Sequence, residues 1–368
     1  MSEIRALLIE SAEKIFADHV TPEIIAASEE GRFPETLWAA VEDAGLPRAA
    51  VPEAQGGAGA TLGDALAVLA VAGRFAAPIP LAETILAGWA LSGAGLQVPE
   101  GPLTVAPLGS SERIAIKAGK GGFVLDGVAN PAPWAGRAGF IAVLASGASG
   151  ERRIACVKST DTRVACLANL AGEPRERVTF DGVEVAAKAV APAPAGIDDE
   201  GLWLLGALAR SLQMAGALER AFEHTVRYTS ERVQFGRALS QFQAVQQQIA
   251  LMGGDVVAAK VAADAALDAV DAVGAASLRI AMREIASAKV RAGLAIPAVV
   301  PPAHQLHGAM GFTQEYPLHH VTRRLWAWRD EFGTEDEWAA RLAESVLGGG
   351  PGAVWRFITS PAGKATAA

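Results

Sequence analysis

Residues 231–252 read ERVQFGRALSQFQAVQQQIALM. Upstream of this stretch, apolar residues recur at helical spacing over 200–234, and downstream a second periodic segment fills 240–270. Gly236 stands between them as the residue that ends one helix, and a new helix is expected to start around Gln241. Two helices of this length joined by so short a break run antiparallel. A second break at Gly274, followed by helical patterns over 274–294 and from 299 onward, completes a four-helix bundle. The alanine-rich stretch from Ala258 to Ala276 suits it, since alanine favours helix and lets helices approach closely.

Outward from the bundle the texture changes twice. From Ile4 to about Leu96 the apolar spacing is again helical, with Ile4, Leu7, Leu8, Ala12 and Ile15 on one face. Between about Pro102 and Val190, short β-branched or alternating runs (113–117, 123–128, 140–144, 152–158, 177–180) are separated by Gly, Pro and Asp turns. Residues 119–122, GKGG, read as a hairpin connection, and residues 191–196, APAPAG, read as a linker. The fold class expected is therefore α+β multidomain. It comprises an N-terminal all-α domain (1–100), a middle β-barrel or sandwich domain (101–196) and a C-terminal four-helix bundle (197–368).

Composition narrows the function classes. The 368 residues are 51% hydrophobic and carry a formal net charge of −8, which argues against a phosphate-backbone binder, so no nucleic-acid partner is expected. Two cysteines, Cys156 and Cys166, offer neither a disulfide framework nor a zinc site and fit a reducing cytoplasm. Glu3, Glu10, Glu13 and Asp18 interrupt the N-terminal stretch where a signal peptide needs an uncharged apolar region, and no apolar run is long enough to span a membrane. The expectation is a cytoplasmic protein without a membrane span.

Candidate chemistry sits at two places. Arg232, Gln234 and Arg237 are presented where one helix ends and the next begins, an arrangement suited to an anion such as a pyrophosphate. The same residues equally describe a solvated helix end with favourable dipole charges. Small residues at Gly308, Ala309 and Gly311 would let backbone N–H groups reach a ligand, or else form a helix cap and turn. His304 and His307 have metal-ligand spacing, but without an acidic or third histidine partner a packed or hydrogen-bonding pair is expected and no metal.

Taken together, these segments resemble the acyl-CoA dehydrogenase family. Residues 231–252 are similar to its R-x-x-FG-x-x-(L/I)-x-x-x-Q-x-x-Q helix break. Residues 304–324, HQLHGAMGFTQEYPLHHVTRR, are similar to its Q-x-x-GG-x-G-x-x-x-EYP-x-x-x-x-x-R segment. Residues 29–59, EEGRFPETLWAAVEDAGLPRAAVPEAQGGAG, resemble its FP, (V/I)PE and GG-x-G stretch. The resemblance implies an FAD enzyme that oxidises the Cα–Cβ bond of an acyl-CoA thioester to a 2-enoyl-CoA, in a homo- or hetero-oligomer with FAD shared across the interface. An electron-transfer flavoprotein-type acceptor goes with that activity, and a flavin oxidase on the same scaffold is a further alternative. Carried over by position, Arg232, Gln234, Phe235, Leu239, Gln243, Gln305, Gly308 and Ala309 would contact FAD, with Trp134 standing in for a missing indole.

The sequence departs from the family where the chemistry is densest. The family's T-E-P-x-x-G-S-D stretch is Thr104 to Ser111 here, TVAPLGSS, and its W-I-(S/T)-N stretch is Ala129 to Ala135, ANPAPWA. The catalytic glutamate of the family precedes a Gly-Thr pair, a position occupied here by Phe332, with Glu331 one residue earlier as the candidate base. Asp264 and Asp268 are alternatives, read also as a solvated helix face. These departures resemble subunits of hetero-oligomeric acyl-CoA dehydrogenases, in which one subunit type supplies the base and the other completes the FAD site.

Overall fold

The computed structural model describes residues 2–107, 113–347 and 349–360. The order of elements is helical, β, helical, as the sequence patterns imply. The first segment holds α1 (Glu3–His19), α2 (Pro22–Glu29), α3 (Glu35–Asp43), α4 (Leu62–Leu66), α5 (Val68–Arg74) and α6 (Leu81–Gly93). Their starts follow side-chain chemistry, for Ser2, Thr21 and Thr61 each accept a backbone N–H of the first turn. Every residue of α6 from Leu81 to Leu91 is buried, which accounts for its lack of a polar face.

Eight strands follow, β1 (Leu103–Ala106), β2 (Ile114–Gly119), β3 (Gly122–Pro133), β4 (Phe140–Ser146), β5 (Arg152–Lys158), β6 (Arg163–Ala165), β7 (Arg175–Ala186) and β8 (Val190–Pro192). They form one mixed sheet in the order β6-β7-β3-β2-β4-β5-β8, with β1 pairing parallel to β4. The β2–β3 hairpin closes at Gly119–Gly122, as the glycines imply. Leu125, Ile141, Val157, Val178 and Phe180, from four strands, meet in one apolar cluster. β1 left no alternating signature because all four of its residues are buried. The expected linker at 191–196 begins as a strand, with Ala191 opposite Ile154 and Pro192 opposite Arg153. Proline is tolerated there because β8 is the edge of the sheet.

The last segment holds α7 (Asp199–Glu231), α8 (Gln243–Val273), α9 (Met282–His307), α10 (Leu318–Asp330), α11 (Glu335–Leu347) and α12 (Ala353–Thr359). Gly274, at φ 73°, terminates α8 as expected. The break expected between 294 and 299 is absent, since α9 runs through Pro297, Pro301 and Pro302 without stopping. Its buried stripe of Ala292, Ala295, Ile296, Val299, Val300 and Ala303 continues across the prolines, so packing overrides the lost amide donors. The chain divides into two compact units. One comprises Met1–Val68, Pro78–Gly206 and Val273–Arg279, and the other Leu69–Ala77, Ala207–Ala272 and Ile280–Ala368.

Candidate functional site

The site begins at the last turn of α7. The Arg232 N–H still donates to Tyr228 O at 2.8 Å, and the chain then turns into a two-residue ribbon, β9 (Val233–Gln234) against β10 (Arg237–Ala238). Its tip is Phe235 at φ 54° and Gly236 at φ 79°, the paired left-handed conformations of a type I′ hairpin turn. Glycine adopts this readily, whereas phenylalanine does so under strain. The ring of Phe235 is 92% exposed and meets the Phe242 ring edge-on at 6.3 Å. Leu239 N–H donates to Arg232 O at 2.9 Å and closes the loop before α8 begins at Gln243.

Arg232, Gln234 and Leu239 share a cavity of about 480 Å³ with Gln305, Gly308 and Ala309 at the end of α9. The two motifs, some seventy residues apart in sequence, thus come together as the resemblance implies. Among the described lining residues, Arg232 supplies the charge. Gly308 has φ 59° and ψ −139°, a conformation closed to other residues, and a Cβ built on it meets nothing within 4 Å. Backbone is therefore presented to open space at that point. Gly311 is required for another reason, since a Cβ there would lie 3.0 Å from His307 Cβ and 3.3 Å from His304 Nδ1. A guanidinium opposite an open glycine backbone suits a pyrophosphate-bearing dinucleotide, so the residues present fit FAD.

The other expected contacts fall outside this cavity. Gln243 starts α8 without reaching the lining, and the Arg237 guanidinium stacks 4.0 Å above the Phe242 ring. Trp134 belongs to the other unit, 4% exposed and edge-on to Phe33 at 6.4 Å, so its indole is spent on packing. Of the Thr104–Ser111 stretch, Leu108 to Ser111 lie outside the described residues, while Thr104 Oγ1 is buried and donates to Pro133 O at 2.6 Å. Asp264 and Asp268 are exposed on α8, Asp264 being 3.5 Å from Lys260.

One wall of the cavity joins His307, expected from the sequence to pack or hydrogen-bond, to Tyr228, which the sequence reading missed. His307 stacks on Tyr228 at 4.4 Å and sits 4.8 Å from the Tyr316 ring, and its Nδ1 donates to Ala303 O at 2.7 Å. His304 Nε2 pairs with Thr322 Oγ1 at 2.9 Å, and its ring lies 4.8 Å from that of Phe312. Burial depresses the basicity of both imidazoles, and pulls His224 down to about 3, with Arg220 and Arg227 adding repulsion. Among the described residues no group of three His, Cys, Asp or Glu side chains is placed to hold a metal ion. Tyr228 precedes Arg232 by one helical turn, a spacing that could have flagged it.

A second cluster surrounds Glu331, which follows α10 in extended conformation. Its Oε2 accepts from Arg210 Nε at 2.6 Å, and the side chains are 15% and 3% exposed. Arg210 Nη1 also donates to Gln213 Oε1 at 2.5 Å. Phe332 is left-handed at φ 57°, and its carbonyl accepts from Trp338 Nε1 at 2.8 Å. Lys289 Nζ, from α9, donates to Arg329 O at 2.6 Å and Gly333 O at 2.7 Å. Burial brings that ammonium down to about 8, against the opposing pull of Glu331 and Asp330. Thr334 and Glu337 then form a reciprocal capping box that starts α11. Arg210 and Lys289 lie on otherwise apolar helical stripes, which was the available signal for both.

Comparison with known proteins bears on these two clusters. The model of the acyl-CoA dehydrogenase C-terminal domain matches residues 205–347, which contain both, and that of the N-terminal domain matches residues 2–97. The chain belongs to the acyl-CoA dehydrogenase family. Acyl-CoA dehydrogenase IpdE2 of Mycobacterium tuberculosis is 30% identical over 328 residues, 88% of this chain and 91% of the relative. IpdE2 of Mycolicibacterium smegmatis is 28% identical over 351 residues, 94% of this chain and all of the relative. A solved Tcur3481–Tcur3483 steroid ACAD superposes with a TM-score of 0.80 at 28% identity, over 94% of this chain and 98% of that one. The protein is thus an acyl-CoA dehydrogenase-type oxidoreductase of the class acting on CH–CH groups. No helix among its described residues is long and apolar enough to cross a membrane.

Proposed function

We propose that this acyl-CoA dehydrogenase is an FAD-dependent subunit acting on the Cα–Cβ bond of an acyl-CoA thioester, with a 2-enoyl-CoA as product. The observation that carries the reading is the shared cavity of Arg232, Gln234 and Leu239 with Gln305, Gly308 and Ala309. Arg232 would neutralise a pyrophosphate, the glutamines would fix polar edges of the dinucleotide, and Leu239 would cover apolar surface. When bound, FAD supplies the flavin that accepts hydride from Cβ. Phe235, exposed beside this cleft, suits a cofactor shared with a neighbouring subunit in a homo- or hetero-oligomer. Similarity to a steroid ACAD favours a bulky acyl group, and an electron-transfer flavoprotein-type acceptor fits the family.

A second reading is a catalytically incomplete partner that completes the FAD site of a hetero-oligomer. It is favoured by Phe332, which occupies the residue before Gly333 and Thr334 with a left-handed backbone. One preparation tests both: the chain purified alone and co-expressed with a neighbouring dehydrogenase-like gene. A yellow protein with a flavin band supports the function, and one flavin per two chains in the co-expressed complex selects the partner reading. A colourless protein in both preparations, taking up no flavin on refolding with FAD, rejects it.

A further inference from the structure

Glu331 lies two residues before Gly333 in the 331–334 turn, but its surroundings do not suit a proton acceptor. A general base needs a carboxylate that can gain a proton and lose it again at little cost. The Glu331 carboxylate accepts a hydrogen bond of 2.6 Å from Arg210, whose side chain is 3% exposed. Protonation would neutralise one side of a nearly dry ion pair and leave the guanidinium charge where water screens it poorly. The backbone offers no slack either. Lys289 grips the carbonyls on both sides of the segment, at Arg329 and Gly333, and Trp338 holds the carbonyl of Phe332 between them. The Arg210 guanidinium lies 5.7 Å from the Phe332 ring centroid, so one cation contacts both Glu331 and Phe332.

Resting on the function proposed above, we infer that Arg210 is a positioning residue that commits Glu331 to a fixed ion pair, so that Glu331 serves as a structural anion shaping the 331–334 turn. The two side chains then act as one unit, and removing either has the consequence of removing both.

Carbon-13 labelling of the glutamate carboxyls tests this without substrate, the Glu331 signal being assigned by its loss in Glu331→Gln. The signal is expected to stay at the carboxylate position from pH 8 to pH 6 in the native protein and, in Arg210→Gln, to begin moving at a higher pH than it does in the native protein. Titration within that range in the native protein overturns the inference. Melting temperatures give a second readout, with Arg210→Gln/Glu331→Gln expected to lie no lower than the worse single variant, whereas additive losses overturn the pairing. In the flavin-loaded complex, deuterium uptake at Cα of a turned-over acyl-CoA should fall by the same factor, within about threefold, in both single variants. A loss beyond about a hundredfold confined to Glu331→Gln, the range expected for a missing base, overturns it. A complex that holds no flavin rejects the proposed function instead, and the carboxyl titration still decides the role of Glu331.

Discussion

Arg232 stands at the point where a long helix gives up its register, and its charge is the one the cavity offers to an anionic ligand. A charge-assisted contact to a phosphate oxygen contributes about 1.5–3 kcal/mol, so Arg232→Ala should weaken FAD binding by roughly ten- to a hundredfold. Because the side chain is exposed, the melting temperature of the flavin-free protein should hardly move. Fluorescence titration of the apoprotein with FAD checks the first expectation and calorimetry the second. The charge was legible in the sequence because arginine beside a helix break is a local pattern. The commitment of Glu331 to Arg210 was not, since the two residues are 121 positions apart and only folding brings them together.

The β9–β10 hairpin depends on two left-handed residues, and a β-branched side chain cannot take the second of them cheaply. Gly236→Val should therefore open the ribbon, weakening FAD binding and exposing residues 232–240 to limited proteolysis, while the helical circular dichroism persists. The sequence placed the break correctly but concealed the ribbon, because two-residue strands are too short to show a period. Lys289 joins α9 to the segment after α10, and its pH response has a definite sign. With its ordinary value of 10.5 lowered to about 8, the folded protein holds fewer protons than the unfolded chain between those limits. Its contribution to stability accordingly rises through that window, by on the order of 3 kcal/mol. The stability difference between the native protein and Lys289→Met, from urea unfolding at pH 8 and pH 10, should shift in favour of the native protein at the higher pH.

Across the whole molecule, the buried imidazoles set the acid limit. His224, His304 and His307 all lie below their ordinary value of 6.5, and His224 falls to about 3. Between pH 6.5 and about 3 the unfolded chain therefore takes up protons that the folded one refuses. Stability should decline as pH falls through this window. His224→Phe should flatten that slope, as measured by thermal unfolding at pH 7, 6 and 5, whereas an unchanged slope would place the acid sensitivity elsewhere. At this scale the sequence was most legible, because long periodic helices and alternating strands are collective signals. What escaped were elements whose local pattern runs against the state they adopt. The β1 strand lacks alternation, and α9 carries three prolines that a local reading takes as stops.

Those prolines also bear on how the chain reaches its native state. Without amide donors at 297, 301 and 302, the carbonyls of Gly293, Pro297 and Ala298 lose their partners in the helical ladder, and an isolated peptide of this sequence would be a poor helix. The helix must be templated by the surfaces it packs on, α10 and α11 among them. Its formation is therefore expected late on the folding route, after the barrier. Truncations of the buried side chain of Ile296 or Val299 should accelerate unfolding while leaving the refolding rate nearly untouched, a partition that stopped-flow chevrons would display.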